Sequence, residues 1–185
     1  MAEPQVQQRR ALAEEAKIIQ LVVFVAGEEE FCADIGQVRE IIRTTAITPI
    51  PDSPDFIRGI INVRGEVVCV IDLKGRFFLH PKKEVEPRHI IVSEQEKNLF
   101  GLLVDEVTEV LRIPVTEIKG TPGLVTKIEE KYVAGVVTLE NRLIIQLDLS
   151  KVLSEEELVK LSGVTRRHVT AEVKEEKREK NLNRG

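Results

Sequence analysis

The sequence has few of the side chains from which enzymes and nucleic-acid-binding proteins build their sites. Among its 185 residues there are no tryptophans, one tyrosine and three histidines. Nucleobase stacking needs aromatic rings interleaved with basic residues, and no such segment is present. There is also no phosphate-binding glycine loop, zinc-protease motif or serine-hydrolase motif. We therefore expect no catalytic site, no metal, no cofactor and no nucleic-acid partner.

Cysteines and long apolar runs are also scarce. Cys32 and Cys69 are the only cysteines, and they lie in strand-like apolar runs without a C-x-x-C motif, so we expect two buried free thiols. No run of eighteen apolar residues could span a membrane, and the first fifteen residues contain no apolar secretory signal. These features indicate a cytoplasmic protein.

Charge divides the chain into three regions. The net charge is −4, and residues 1–17 are neutral while residues 165–185 carry seven bases and four acids, so residues 18–164 have a charge of −7. The acidic body argues against a phosphate-binding surface. We expect a mobile N-terminal segment (1–17), a folded body (18–164) and a charged, disordered tail (165–185).

Short β-branched and apolar runs, separated by turn residues, dominate the body and predict an all-β fold. The segment DIGQVREII (34–42) differs, because its apolar residues recur at helical spacing, so we expect a short helix there. A second helix is predicted over 154–162, where Ser154 and Glu157 form a capping box and Gly163 marks the end.

The body contains an internal repeat. GIINVRGEVVCVIDLKGRF (59–77) aligns without gaps on GVVTLENRLIIQLDLSKVL (135–153), and FCADIGQVREIIR (31–43) aligns on FGLLVDEVTEVLR (100–112). Two matches in the same order predict two similar β-subdomains, roughly 18–80 and 88–153, and leave open whether strands are exchanged between the two halves.

The repeat separates structural from functional candidates. Asp72 and Asp148 match between the copies; they could form an acid/base pair, but their duplication favours a structural role in accepting backbone N–H bonds. Arg64-Gly65 stands opposite Glu140-Asn141. The turn needs Gly65 for its backbone but does not need an arginine, so Arg64 is either a solvated turn residue or a functional one.

The order of these segments resembles the CheW family over about residues 18–160. The most specific part is ITPIPDSPDFIRGIINVRGEVVCVIDL, with its P-I-P, N-V-R-G and V-I-D-L elements, although Cys69 stands where the family usually has proline. The resemblance implies two tandem five-stranded SH3-like barrels packed together with a short C-terminal helix. It further implies a non-catalytic adaptor that couples transmembrane chemoreceptors to the histidine kinase CheA, and that meets the membrane only through the receptors.

The resemblance also implies which residues bind partners. The receptor's cytoplasmic tip would bind between the barrels, and the kinase's regulatory domain would pair with the adaptor barrel on barrel. The implied receptor-binding residues are Val38, Glu40, Ile41, Arg64 and Gly65, with a salt bridge between Glu40 and Arg64. Gly59 and Val110 match positions that affect coupling to the kinase. Two alternatives are an uncharacterised β-barrel enzyme and a CheW-like module in another two-component system.

Overall fold

A computed structural model describes residues 3–15, 17–120 and 128–183, and over these residues the chain is mostly β. The strands are β1 (Ile18–Ala26), β2 (Glu29–Asp34), β3 (Val38–Arg43), β4 (Ile57–Val63), β5 (Glu66–Asp72), β6 (His89–Gln95), β7 (Asn98–Val104), β8 (Glu106–Pro114), β9 (Ile118–Lys119), β10 (Val133–Leu139) and β11 (Arg142–Leu147). The helices are α1 (Glu3–Glu15), α2 (Leu73–Arg76) and α3 (Glu155–Leu182). No helix among the described residues is long and apolar enough to cross a membrane.

The strands form two SH3-like units that exchange their first hairpins. One sheet has the order β8-β1-β2-β11-β10-β9, which we name barrel I, and the other has the order β3-β6-β7-β5-β4, which we name barrel II. Parallel contacts of β2 with β11 and of β5 with β7 join the exchanged hairpins to their sheets. The expected division into 18–80 and 88–153 is therefore corrected, because each barrel combines strands from both halves of the chain. The sequence pattern of each strand is the same with or without exchange.

The two repeated segments adopt the same local structure. The hairpin β4–β5 and the hairpin β10–β11 are both antiparallel, and each is followed by a helical turn. Asp72 caps the first turn by accepting from Lys74 N–H and Gly75 N–H, and Asp148 caps the second by accepting from Ser150 N–H. The structural role predicted for this acidic pair is confirmed.

The core has three parts. One cluster fills barrel I around Leu21 and Ile144, and a second fills barrel II around Val70 and Ile90. The largest cluster lies between the barrels and includes Phe24, Phe31 and Phe100. It buries the facing surfaces of both sheets, which is how two small barrels obtain a core large enough to be stable.

The helix predicted over 34–42 is wrong. Residues Ile35–Gln37 form one 3₁₀ turn, and β3 begins at Val38. The strand has a bulge between Val38 and Glu40. A bulge adds one residue to a strand, so apolar residues on either side of it are separated by three positions instead of two or four. That spacing imitates the periodicity of a helix.

Both ends of the chain are more helical than expected. Helix α3 starts at the predicted capping box, with Glu157 N–H donating to Ser154 Oγ, but it continues through Gly163 to Leu182. The expected end at Gly163 and the disordered tail over 165–182 are thus corrected. A glycine inside a helix costs only about 1 kcal/mol, and no proline follows it. Helix α1 occupies most of the N-terminal segment that we expected to be mobile. The described residues do not include residues 1, 2, 16, 184 and 185 of the two predicted end segments.

Candidate partner-binding groove

The bulge in β3 sets which of its side chains face the same way. Val38 lies opposite Ser93, and Ile41 lies opposite Ile91. Residues directly opposite each other in an antiparallel pair point to the same side of the sheet. Ser93 and Ile91 are two residues apart on β6 and share a face. Val38 and Ile41 therefore also share a face, although three positions separate them.

An equivalent bulge is present in β8. Val107 lies opposite Phe24 and Val110 lies opposite Val22, with the register shift between Val23 and Phe24. Val107 and Val110 therefore share a face for the same reason as their counterparts in β3. The repeat alignment places Val38 on Val107 and Ile41 on Val110, so the two strands present matching apolar pairs.

These faces turn toward the contact between the barrels. Val38 and Val107 are partly buried and pack against the cluster that lies between the barrels. Ile41 and Val110 remain 39% and 49% exposed. We name these four residues the inter-barrel groove. We call the partly buried Val38 and Val107 its floor, and β3 and β8, with their exposed Ile41 and Val110, its walls; this apolar surface is suited to an apolar partner.

The predicted contact between Glu40 and Arg64 is present. Arg64 Nη2 lies 3.4 Å from Glu40 Oε2, and the two side chains are 83% and 22% exposed. Glu40 lies opposite Val92, whose side chain belongs to the barrel II core. Glu40 thus points to the opposite side of β3 from Val38 and Ile41, so the ion pair lies beside the groove rather than within it.

The turn that presents Arg64 has an unusual backbone. Arg64 and Gly65 have φ values of 52° and 85°, and Gly65 N–H donates to Asn62 Oδ1 at 2.8 Å. Non-glycine residues seldom adopt positive φ because the Cβ atom crowds the backbone. Glu140, at the equivalent turn, has φ 51°. Positive φ is therefore a property of these hairpins, and the arginine is the feature found in one copy.

Glu40 and Glu109 align in the repeat, but they pair with different arginines. Glu109, the counterpart of Glu40, lies 2.7 Å from Arg142 Nη2, and Glu30 lies at the same distance from that nitrogen. The hydrogen bond from Arg142 holds the pKa of Glu30 below its ordinary value. Arg142 is thus neutralised by two carboxylates, whereas Arg64 has one weak partner and most of its surface in water. Arg64 is the better candidate for binding an acidic group on another protein.

Gly59 is not one of the four groove residues, and its role is in the backbone. Its φ is 139°, and a Cβ atom there would collide with Thr48 O. Gly135, its counterpart, is similarly crowded by Lys119 O at 2.9 Å. Both glycines let a neighbouring segment pair closely with the hairpin, through the Thr48–Ile60 bridge in one copy and through β9 in the other. If Gly59 affects coupling to the kinase, it would do so by maintaining the local structure of β4.

The sequence analysis did not identify Val107 or Arg142 as site residues. For Val107, the internal repeat could have done so. Val38 was a candidate, and its aligned counterpart follows directly from the match of 31–43 with 100–112. Phe56 and Ile57 follow a proline-rich segment, residues 49–54 with prolines at 49, 51 and 54, and both pack against the cluster that lies between the barrels. No group of three or more metal-binding side chains occurs in the part of the chain that the structure describes.

Comparisons with known proteins agree with this architecture. Residues 20–157 match a family model described as a CheW-like domain. The chain is 37% identical over 141 residues to the chemotaxis protein CheW of Rhizobium meliloti, covering 75% of this chain and 89% of that protein. It is 30% identical to the chemotaxis protein CheW of Thermotoga maritima, covering 79% and 95%. The crystal structure of the scaffolding protein TtCheW from Thermoanaerobacter tengcongensis is similar, with a TM-score of 0.68 and 37% identity over 75% of this chain and 89% of that one.

Proposed function

This chain belongs to the family of CheW-like domains, and from that premise we propose that it is a non-catalytic adaptor that couples chemoreceptors to the histidine kinase CheA. The observation that supports the proposal most directly is the inter-barrel groove. Its two walls come from equivalent strands of the two barrels, and each presents an exposed aliphatic side chain, Ile41 or Val110. Such a paired apolar surface suits a protein that binds other proteins.

The groove is suited to a helical partner. Apolar residues at i, i+3, i+4 and i+7 form a continuous stripe along an α-helix. The exposed side chains of Ile41 and Val110 would contact such a stripe, while Val38 and Val107 form the floor. We therefore propose that the cytoplasmic tip of a chemoreceptor, a helical hairpin, binds here with its apolar stripe against the groove.

Arg64 adds an electrostatic element beside the groove. Its guanidinium is 83% exposed and its contact with Glu40 is long, at 3.4 Å. An exposed ion pair of this kind contributes only about 0–1 kcal/mol to stability. A receptor carboxylate could replace or join Glu40 with little loss, which would set the register of the helix. Gly65 would allow close approach, since nothing lies within 4 Å of the position that a Cβ atom would take.

The kinase would bind on other faces. We propose that the regulatory domain of CheA pairs with this protein barrel on barrel, so that the receptor and the kinase can be bound at once. The position of Val110 on a groove wall supports a contact with the receptor, and Gly59 would influence coupling through the local fold.

The test compares matched pairs of exposed residues. Arg64→Ala and Ile41→Glu should each weaken binding to a receptor cytoplasmic fragment at least tenfold, or about 1.4 kcal/mol, and leave CheA affinity nearly unchanged. Arg88→Ala, at an arginine that is 67% exposed with a long ion pair, and Val159→Glu, at a residue that is 72% exposed, are the controls. Wild-type receptor affinity in Arg64→Ala and Ile41→Glu, with the melting temperature unchanged, would refute binding at the groove.

A further inference from the structure

The second residue after α2 is unusual for its position. The helix ends in a Schellman motif, in which Leu79 N–H donates to Lys74 O at 2.9 Å and Phe78 N–H donates to Gly75 O at 3.4 Å. The residue between the helix cap and Leu79 must take a positive φ, and glycine usually fills it. Here it is Phe78, with φ 53° and 79% of its surface exposed. The motif requires the backbone conformation, but nothing in it requires an aromatic side chain.

The second copy of the repeat provides a control. One residue beyond the match of 59–77 with 135–153, Phe78 aligns with Ser154. Ser154 has φ −74° and caps α3 through its side chain. An exposed phenylalanine in an unfavourable conformation is thus a feature of one copy only. Large aromatic side chains are the residues that most often anchor protein contacts.

The cleft beside Phe78 carries two glutamates, although Lys82 lies nearby and its backbone N–H donates to Glu28 Oε1 at 3.4 Å. This cleft, of about 190 Å³, is lined by Glu28, Glu29, Leu79, His80 and Pro81. Neither of the two glutamates forms an ion pair with any residue that the structure describes. A matching surface would be an apolar pocket with a basic group at its edge.

The same chain has such a pocket on α3. A cleft of about 410 Å³ lies between α3 and the proline-rich segment, with apolar lining from Pro49, Ile50, Pro51, Ile60 and Val164. Arg167 stands at its edge, is exposed, and contacts Gly163 O at 3.4 Å but no carboxylate among the described residues. Asp52, His168 and Ala171 also line the cleft, and His168 lies 3.3 Å from Glu172, so the charge is mixed, but Arg167 has no carboxylate partner among the described residues.

We propose that Phe78 of one copy of this protein enters the cleft beside α3 of a second copy, with Glu28 and Glu29 facing Arg167. The two surfaces are different parts of the molecule, so the contact is heterologous and joins copies head to tail in an open chain or a closed ring. The inter-barrel groove takes no part in it. The proposal therefore does not depend on receptor binding, and either can fail without the other.

The first experiment is sedimentation velocity of the purified full chain from micromolar to millimolar concentration. The wild-type protein should form species larger than a dimer as concentration rises, and added salt should weaken them because the facing charges are screened. Phe78→Ser, which introduces the residue of the second copy, should abolish the association, while Val159→Ser, a matched exposed position on α3, should not. A wild-type protein that stays monomeric throughout, or a Phe78→Ser variant that associates like the wild type, would overturn the proposal.

A mixing experiment tests the direction of the contact. Ala171→Trp should fill the cleft and leave Phe78 free, whereas Phe78→Ser leaves the cleft free. Each variant alone should be monomeric, and the mixture should form heterodimers that do not grow further. Charge reversal gives an independent check: Arg167→Glu should weaken association at least tenfold, and adding Glu28→Lys and Glu29→Lys to it should restore most of the loss. Failure of the mixture to associate, with both variants folded, contradicts a head-to-tail contact.

Discussion

Arg76 and Glu157 form a two-pronged ion pair that joins α2 to α3. Arg76 Nη1 lies 3.0 Å from Glu157 Oε1, and Arg76 Nη2 lies 2.9 Å from Glu157 Oε2. The guanidinium also donates to Val152 O and to the Tyr132 hydroxyl, and its carbon lies 4.4 Å from the centre of the Phe56 ring. The arginine side chain is only 11% exposed, so almost all of its donors are satisfied inside the protein.

Arg76→Leu should destabilise the protein strongly. Breaking one partner of a buried pair typically costs about 3–5 kcal/mol, and we expect about 2–4 kcal/mol here because Glu157 keeps some contact with water. The control is Arg58→Leu, at an arginine that is 54% exposed and 3.6 Å from Asp72. That change should cost no more than about 1 kcal/mol. Urea unfolding measures both, and equal effects would show that Arg76 is no more than a surface residue.

The pair of Glu30 and Arg142 should make stability depend on acid pH. Arg142 lowers the folded-state pKa of Glu30, so the stabilisation is complete above the unfolded value, about 4.3, and is lost as pH falls through the lower folded value. Arg142→Leu removes the cause of the shift. Its melting temperature should therefore fall less steeply than that of the wild type between about pH 6 and about pH 3. Parallel curves for the two proteins would contradict this linkage.

The repeat was the part of the sequence that predicted the fold best. Because Gly59 and Gly135 align, and Asp72 and Asp148 align, two similar hairpin units follow from the amino-acid sequence alone. The exchange of the first hairpins does not follow from the sequence. Phe31, for example, would be apolar and buried whichever sheet its strand joined. The bulge before Glu40 could not be predicted from the sequence either. It adds one residue, and that residue turns the alternation expected of a strand into the spacing of a helix.

The candidate site was predictable only in part. The contact of Arg64 with Glu40 followed from the resemblance. The grouping of Ile41 with Val38 on one face depends on the bulge and could be seen only from the strand register. Charge density could not predict the helical extension beyond Gly163, because closely spaced glutamates, lysines and arginines are typical of disordered segments and also form stabilising pairs along a helix.

The two cysteines should be inert in the folded protein. Cys32 and Cys69 are 0% and 2% exposed, and burial raises the pKa of each thiol to about 12. The thiolate is the reactive form, so its fraction near neutral pH is negligible. A thiol-specific reagent should label neither residue in native buffer over times that label a free peptide cysteine, and both residues in urea. Rapid labelling of the native protein would show that one of the β-hairpins opens easily.

Gly59 and Gly65 should respond very differently to alanine. At Gly59 the new Cβ would meet Thr48 O, which is backbone paired with β4 and cannot move away. Gly59→Ala should cost more than about 3 kcal/mol or prevent folding. At Gly65 nothing lies within 4 Å, and the cost should be about 1–2 kcal/mol from the positive φ alone. If Gly59 affects coupling through the fold, receptor and kinase affinities in Gly59→Ala should fall in proportion to the folded fraction measured by urea unfolding. A well-folded Gly59→Ala protein that lost only kinase binding would show instead that the glycine surface itself contacts the kinase.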